Sequence, residues 1–133
     1  MSIKPDQLAE AVERGLREYS EDVAAGVKKA VADEGKQCVK DIRANIDSAG
    51  IVNRTGDYRK SWKAKKTEES PSTITVTVFA GSGQYRLTHL LEKGHAKVNG
   101  GRTRAYPHIK PAEEAATERL VKKVKVIVKG GEA

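Results

Sequence analysis

Residues 6–46 read DQLAEAVERGLREYSEDVAAGVKKAVADEGKQCVKDIRANI, and the spacing of their apolar members decides the fold. Leu8, Val12, Leu16, Tyr19, Val23, Val27, Val31, Cys38, Ile42 and Ile46 recur mostly at steps of four, with an occasional three. That spacing stacks them on one face of an α-helix. A shift of eleven residues maps Leu8 onto Tyr19, Val12 onto Val23, Leu16 onto Val27 and Val31 onto Ile42. An eleven-residue recurrence, about 3.67 residues per turn, belongs to a nearly straight helix and not to a left-handed heptad coil. Forty residues at about 1.5 Å each predict a rod of about 60 Å. That is longer than a globule of 133 residues needs. Pro5 suits the first turn, and Asp6 and Glu10 place negative charge near the positive end of the helix dipole. Gly15, Gly26 and Gly35 interrupt the pattern, each costing up to about 1 kcal/mol relative to Ala. They mark either close packing or a bend, and a break is expected first near Gly26 or Gly35. The stripe either covers a sheet throughout or leaves part of itself for neighbouring subunits.

Outward from this helix, Asn45 to Asn53 reads as a turn. Thr55 can cap a short helix that presents Tyr58 and Trp62, four apart, on one face. Lys63 to Thr67 predict a strand, Glu68 to Ser72 a turn, and Thr73 to Ala80 a second strand. In that strand Ile74, Val76 and Val78 alternate with threonines, so the aliphatic side chains face the core. Tyr85, Leu87, Leu90 and Leu91 have helical spacing up to Gly94. A glycine-rich basic loop follows, and Pro111 opens a last helix whose buried face is expected to hold Ala112, Ala115, Ala116, Leu120, Val124 and Val128. Lys122, Lys123, Lys125 and Lys129 complement its negative pole. Gly130 to Ala133 read as a frayed tail.

The expected fold is α+β, with a long N-terminal helix and a C-terminal helix packed on a small antiparallel sheet. It forms a single domain over 1–133: long helix about 6–46, short helix and β-hairpin about 55–81, short helix about 84–92, flexible basic loop about 94–106, and C-terminal helix about 111–128.

Composition limits what such a domain can do. Aromatics are 5% of residues and charged residues 32%, so the interior is small and aliphatic and part of the surface is expected to be buried against partners. The net charge of +7 is uneven: −2 over residues 1–50, +3 over 51–92 and +6 over 93–133. An anionic partner, nucleic acid or an acidic protein surface, is expected at the basic end. The single cysteine, Cys38, excludes an internal disulfide, in keeping with a reducing cytoplasm. No apolar run is long enough for a membrane span, and the first residues lack the apolar core of a signal peptide.

No catalytic constellation stands out, and no cofactor is expected. His89, His95 and His108 lack metal-ligand spacing, and Cys38 has no nearby cysteine or histidine. Ser61 and Ser82 lack a nucleophile-elbow context, and Gly81-Ser82-Gly83 lacks the rest of a phosphate-binding loop. Glu68-Glu69 and Glu113-Glu114 are adjacent and read as solvated charges. The basic loop carries more. Lys93, His95, Lys97, Arg102, Arg104, His108 and Lys110 cluster around Tyr106. They either follow a phosphate backbone or order against a protein neighbour; the second is favoured because no recognised nucleic-acid module surrounds them.

Three segments then line up in order: Arg54-Thr55-Gly56-Asp57-Tyr58-Arg59-Lys60-Ser61, Leu90-Leu91-Glu92-Lys93-Gly94-His95, and Tyr106-Pro107-His108-Ile109-Lys110-Pro111-Ala112. The set resembles the HK-type family of phage minor tail proteins, found in the neck-forming gene cluster of siphophages. The usual pattern there is Thr-Gly-x-Leu-Arg-x-Ser, then Glu-x-Gly, then Pro-Phe-hydrophobic-x-Pro-Ala opening the last helix. Tyr58 stands where Leu is common, and His108 where Phe is common. The resemblance covers about residues 5 to 125 and rests on the order and spacing of the motifs.

The resemblance implies a structural virion protein without enzymatic activity, acting in tail completion or head–tail joining at the neck. It implies copies of the chain as partners, often in a six-fold ring, together with other neck and tail proteins, and DNA passing through the channel. The expected location is the virion, with the host cytoplasm during assembly. Thr55, Tyr58, Trp62, Glu92, Gly94, Pro107 and Pro111 are expected to define the fold, Glu92 and Gly94 by ending a helix. Arg102, Arg104, Lys110, Lys97 and Tyr106 are the expected interface residues. The competing readings are a small basic nucleic-acid-binding accessory protein and, more distantly, a toxin-like RNA-cleaving protein.

Overall fold

A computed structural model describes residues 5–51, 56–81 and 83–130, with the backbone alone at Pro5, Asp6, Leu8 and Tyr85. Its elements are α1 (Pro5–Ser48), α2 (Asp57–Ser61), β1 (Trp62–Ser70), β2 (Thr73–Ala80), α3 (Tyr85–Lys93) and α4 (Lys110–Val128). The fold is α+β, with a two-stranded antiparallel sheet and the last helix both packed on the long first helix.

The first helix runs unbroken through all three glycines for 44 residues, about 66 Å. Two of the glycines are places of close approach. A Cβ on Gly35 would lie 2.7 Å from Val76 Cγ1, and one on Gly26 would lie 3.0 Å from Ile127 Cγ2. Their loss of helix propensity is offset by letting β2 and α4 pack against the helix backbone.

The hairpin pairs Trp62 with Ala80 at its open end and Ser70 with Thr73 at its turn, with a bulge between Lys66 and Glu68. Ile74, Val76 and Val78 are half-buried while the threonines between them are exposed. The hairpin tip is tied back to α1, where Lys28 Nζ donates to the Ser70 carbonyl at 2.5 Å.

The C-terminal half of α1 carries the core. Cys38, Val39, Ile42 and Ile46 pack with Tyr58, Trp62, Ala80 and Ala112, edged by Ala64, Val78, Leu87, Leu91, Ile109 and Ala116. Each fully buried isoleucine contributes on the order of 1.5–3 kcal/mol relative to exposure. Helix α4 runs antiparallel to α1: Arg119 reaches Glu34, Ile127 sits on Gly26, and the Val128 carbonyl accepts from the Tyr19 hydroxyl. One helical assignment needs correcting. Ile127 holds the buried position and Val128 is exposed. Three consecutive apolar residues, Val126-Ile127-Val128, carry no phase of their own.

Candidate interaction surfaces

The segment Tyr106 to Lys110 passes from loop into α4, and its backbone is held by residues from two other elements, α3 and α1. Glu92, on α3, accepts the backbone N–H groups of His108 (2.8 Å) and Ile109 (3.0 Å) on Oε1, and that of Lys110 (3.0 Å) on Oε2. A carboxylate from one helix thus caps the positive end of another. Burial alone would raise the Glu92 carboxyl; the three backbone donors and His108 outweigh it, so its pKa lies below the ordinary 4.5. Glu92 therefore starts α4, whereas the sequence suggested only that it ends α3. Asn45 Nδ2 of α1 donates to the His108 carbonyl at 3.1 Å.

His108 is fully buried. Its Nδ1 faces two acceptors, the Tyr106 carbonyl at 2.6 Å and Glu92 Oε1 at 3.1 Å, so this nitrogen carries a proton. In the neutral ring Nε2 is then the acceptor, and the Tyr58 hydroxyl, 2.7 Å away, donates to it. Burial pushes the Tyr58 phenol up to about 12. The rings of Tyr58, Trp62 and His108 meet edge to face, with centroids 5.6 to 6.4 Å apart. Thr55, expected as the cap of α2, lies outside the described residues, and the N-cap position is Gly56 at φ 74°.

Gly94 ends α3 at φ 71°, and a Cβ there would lie 2.5 Å from the Thr103 carbonyl oxygen. This contact closes the basic loop. His95 and Thr103 exchange hydrogen bonds, Ala96 and Arg102 form a β-bridge, and the Lys97 N–H donates to the Gly101 carbonyl. Residues 95–103 thus form a small hairpin of their own. Of the expected interface residues, Lys97, Arg102, Arg104 and Lys110 are exposed and Tyr106 is half-buried. The Arg104 guanidinium lies 5.4 Å from the Tyr106 ring centroid, and Arg102 reaches back toward the Gly94 carbonyl. Val98, at the loop tip, is fully exposed. Pro107 is exposed, and Pro111 stands in the first turn of α4.

A charged cluster that no local sequence pattern marks joins α1 to α4. Arg119 contacts Glu34 Oε2 and Asp41 Oδ2, each at 2.8 Å, and Lys123 contacts Glu34 Oε1 at 2.8 Å. Burial raises the Glu34 carboxyl, and the two cations more than reverse this, leaving it below 4.5. Nothing local signals such a pairing, because Glu34 and Arg119 are 85 positions apart.

Past the end of α4, α1 runs on without cover. From Gln7 to Asp22 every residue with a described side chain is exposed, including Val12 (53%), Leu16 (64%) and Tyr19 (48%). The stripe that buries Ala30 and Ile42 farther along the helix is therefore exposed here, and Tyr19 touches its own chain at the end of α4 through the hydroxyl bond to Val128. On the outer side of α4, Val121 and Val128 are exposed beside Lys122, Lys125 and Lys129. Among the described residues no group of three or more His, Cys, Asp or Glu side chains is placed to hold a metal ion, and no helix is long and apolar enough to cross a membrane.

The model of a protein family, HK97-gp10_like, described as "Bacteriophage HK97-gp10, putative tail-component", matches residues 10–94. No curated protein and no solved structure matches the chain.

Proposed function

This chain belongs to the HK97-gp10-like family of bacteriophage tail components, and we propose that it completes the tail at the neck, where tail joins head, by assembling with copies of itself and with other tail proteins. The observation that carries this reading is the uncovered stripe of α1. A helix of 44 residues buries its apolar face for only part of its length, and Val12, Leu16 and Tyr19 are left in solvent. Scattered exposed apolar side chains are ordinary, whereas a continuous row continuing a core stripe marks an interaction surface. The exposed basic hairpin supplies a second surface, with Lys97, Arg102 and Arg104 on or beside it and Lys110 nearby in sequence.

In this reading the subunit acts in the virion by assembly and has no catalytic role. Copies arranged about the tail axis, often six, would close into a ring. Exposed Lys and Arg near the axis would line the channel for DNA without reading its sequence. Host cytoplasm is the place of assembly.

The test is co-purification with the connector and tail-tube proteins of the same phage, followed by light scattering of the complexes. A defined complex is expected. A chain that binds none of them and stays monomeric would sink the proposal. The basic hairpin also favours a second reading, a nucleic-acid-binding accessory protein. That reading expects duplex DNA to be retained at low salt and released by Arg102, Arg104 and Lys110 substitution to Ala.

A further inference from the structure

We propose that the free N-terminal part of α1 in one copy lies along the lysine-edged outer face of α4 in a second copy. The inference rests on the assembly reading above and names the two surfaces that meet. The first surface is apolar and acidic. Over residues 7–22 there are five acidic and two basic residues, a net charge of −3. At about 100° per residue, Asp22 flanks one edge of the Val12–Leu16–Tyr19–Val23 stripe and Glu13 the other, with Glu18 farther round on the Asp22 side. The Glu13–Arg17 ion pair, at 3.7 Å between exposed groups, holds Glu13 only weakly.

The second surface is apolar and basic. Val121, Val124 and Val128 follow one another at steps of three and four, so they share a face of α4. Val121 and Val128 are exposed and Val124 half-buried. Lys122, Lys125 and Lys129 flank this row, are exposed, and form no ion pair among the described residues. Residues 119–129 contain no acid at all. Arg119 and Lys123 are already held by Glu34 and Asp41, which leaves three cations for a partner.

The charges match in number and sign, and the shapes match in kind. A straight apolar row about 16 Å long meets a row about 10 Å long on another helix, which ridge-into-groove packing accommodates. The basic hairpin at residues 95–103 is a poorer counterpart for a helical row, since it offers one large exposed aliphatic residue, Val98. The two surfaces adjoin within one chain, where the Tyr19 hydroxyl meets the Val128 carbonyl. Val12 and Leu16 lie past this contact with their own α4, so an α4 that covers them belongs to another molecule.

The experiment reverses each surface separately. One chain carries Glu13→Lys, Glu18→Lys and Asp22→Lys; the other carries Lys122→Glu, Lys125→Glu and Lys129→Glu. Light scattering of the wild-type protein should give a molar mass above the 14.5 kDa chain. Each reversed chain should associate at least about tenfold more weakly, with unchanged helical circular dichroism, and an equimolar mixture should recover the wild-type mass. Should the first chain lose helix, Glu18→Gln with Asp22→Asn replaces it and should weaken association in the same direction. Reversed chains that assemble like the wild type would overturn the pairing while leaving the assembly reading intact. A wild-type chain that is monomeric at every concentration, yet binds other tail proteins, would overturn the pairing and show that such a partner covers the stripe.

Discussion

The Tyr58 hydroxyl lies 2.7 Å from Nε2 of His108, fifty positions farther along the chain, and both side chains are buried. These are also the two positions at which the sequence departs from the pattern of the phage minor tail proteins it resembles, where Leu and Phe are common. Where that pattern has two apolar residues, this chain has a hydrogen-bonded pair. Each polar group answers the other, because a buried imidazole nitrogen without a partner costs about 1–3 kcal/mol. Tyr58→Phe should therefore destabilise the fold by about that amount. The double substitution Tyr58→Leu with His108→Phe should cost less than the sum of the two single changes. A double-mutant cycle in urea measures the difference, and additivity would dispose of the pairing argument.

Two glycines with different surroundings should respond to alanine in opposite directions. Gly94 has a positive φ, and an added Cβ would lie 2.5 Å from the Thr103 carbonyl oxygen, a backbone atom that moves only with the loop. Gly94→Ala should cost more than about 2 kcal/mol. Gly15 sits in the exposed part of α1 with nothing within 4 Å of an added Cβ, and Gly15→Ala should stabilise by up to about 1 kcal/mol. Thermal unfolding of the two variants checks the contrast.

The capping carboxylate predicts an acid limb. Glu92 and Glu34 both have folded pKa values below the ordinary 4.5. As pH falls, the unfolded chain takes up these protons first. The stability they contribute is complete above about pH 4.5 and is lost as pH drops through the folded values. Glu92→Gln should cost about 1 kcal/mol at pH 7 through the weakened cap. It should also flatten the fall in urea midpoint below pH 4.5. A variant with an unchanged acid limb would mean that Glu92 does not hold the start of α4.

Much of this was legible in the chain and some was not, for identifiable reasons. Helix α1 and strand β2 were readable because the periods of 3.6 and 2 are properties of the local sequence. Pro111 marked the start of α4 because its ring fits only a first turn. Tyr58 and Trp62 were readable from their four-residue spacing and Gly94 from motif order, while their contacts came only from the fold. Glu92 looked like a helix-ending charge because its three acceptor contacts lie sixteen to eighteen positions away. Glu34, Asp41 and Arg119 gave no signal for the same reason, and Lys123 read only as a complement to the negative pole of α4. Periodicity also could not say where along α1 the stripe stops being covered, since an exposed stripe and a buried one have the same spacing.

The two halves of α1 differ sharply in cover. Leu16 and Ile42 occupy the same apolar stripe of α1, but Leu16 is 64% exposed and Ile42 is 1% exposed. Ile42→Ala should cost about 2–5 kcal/mol, since the cavity it leaves is walled by Tyr58, Trp62 and their neighbours. Leu16→Ala removes a side chain of similar size and should change the stability of the isolated chain by less than about 0.5 kcal/mol. Its effect should appear in assembly, where the same truncation removes contact with the partner and weakens association. Urea unfolding and light scattering of the two variants separate these effects. If Leu16→Ala destabilised the isolated subunit as much as Ile42→Ala does, the stripe would already be covered by its own chain.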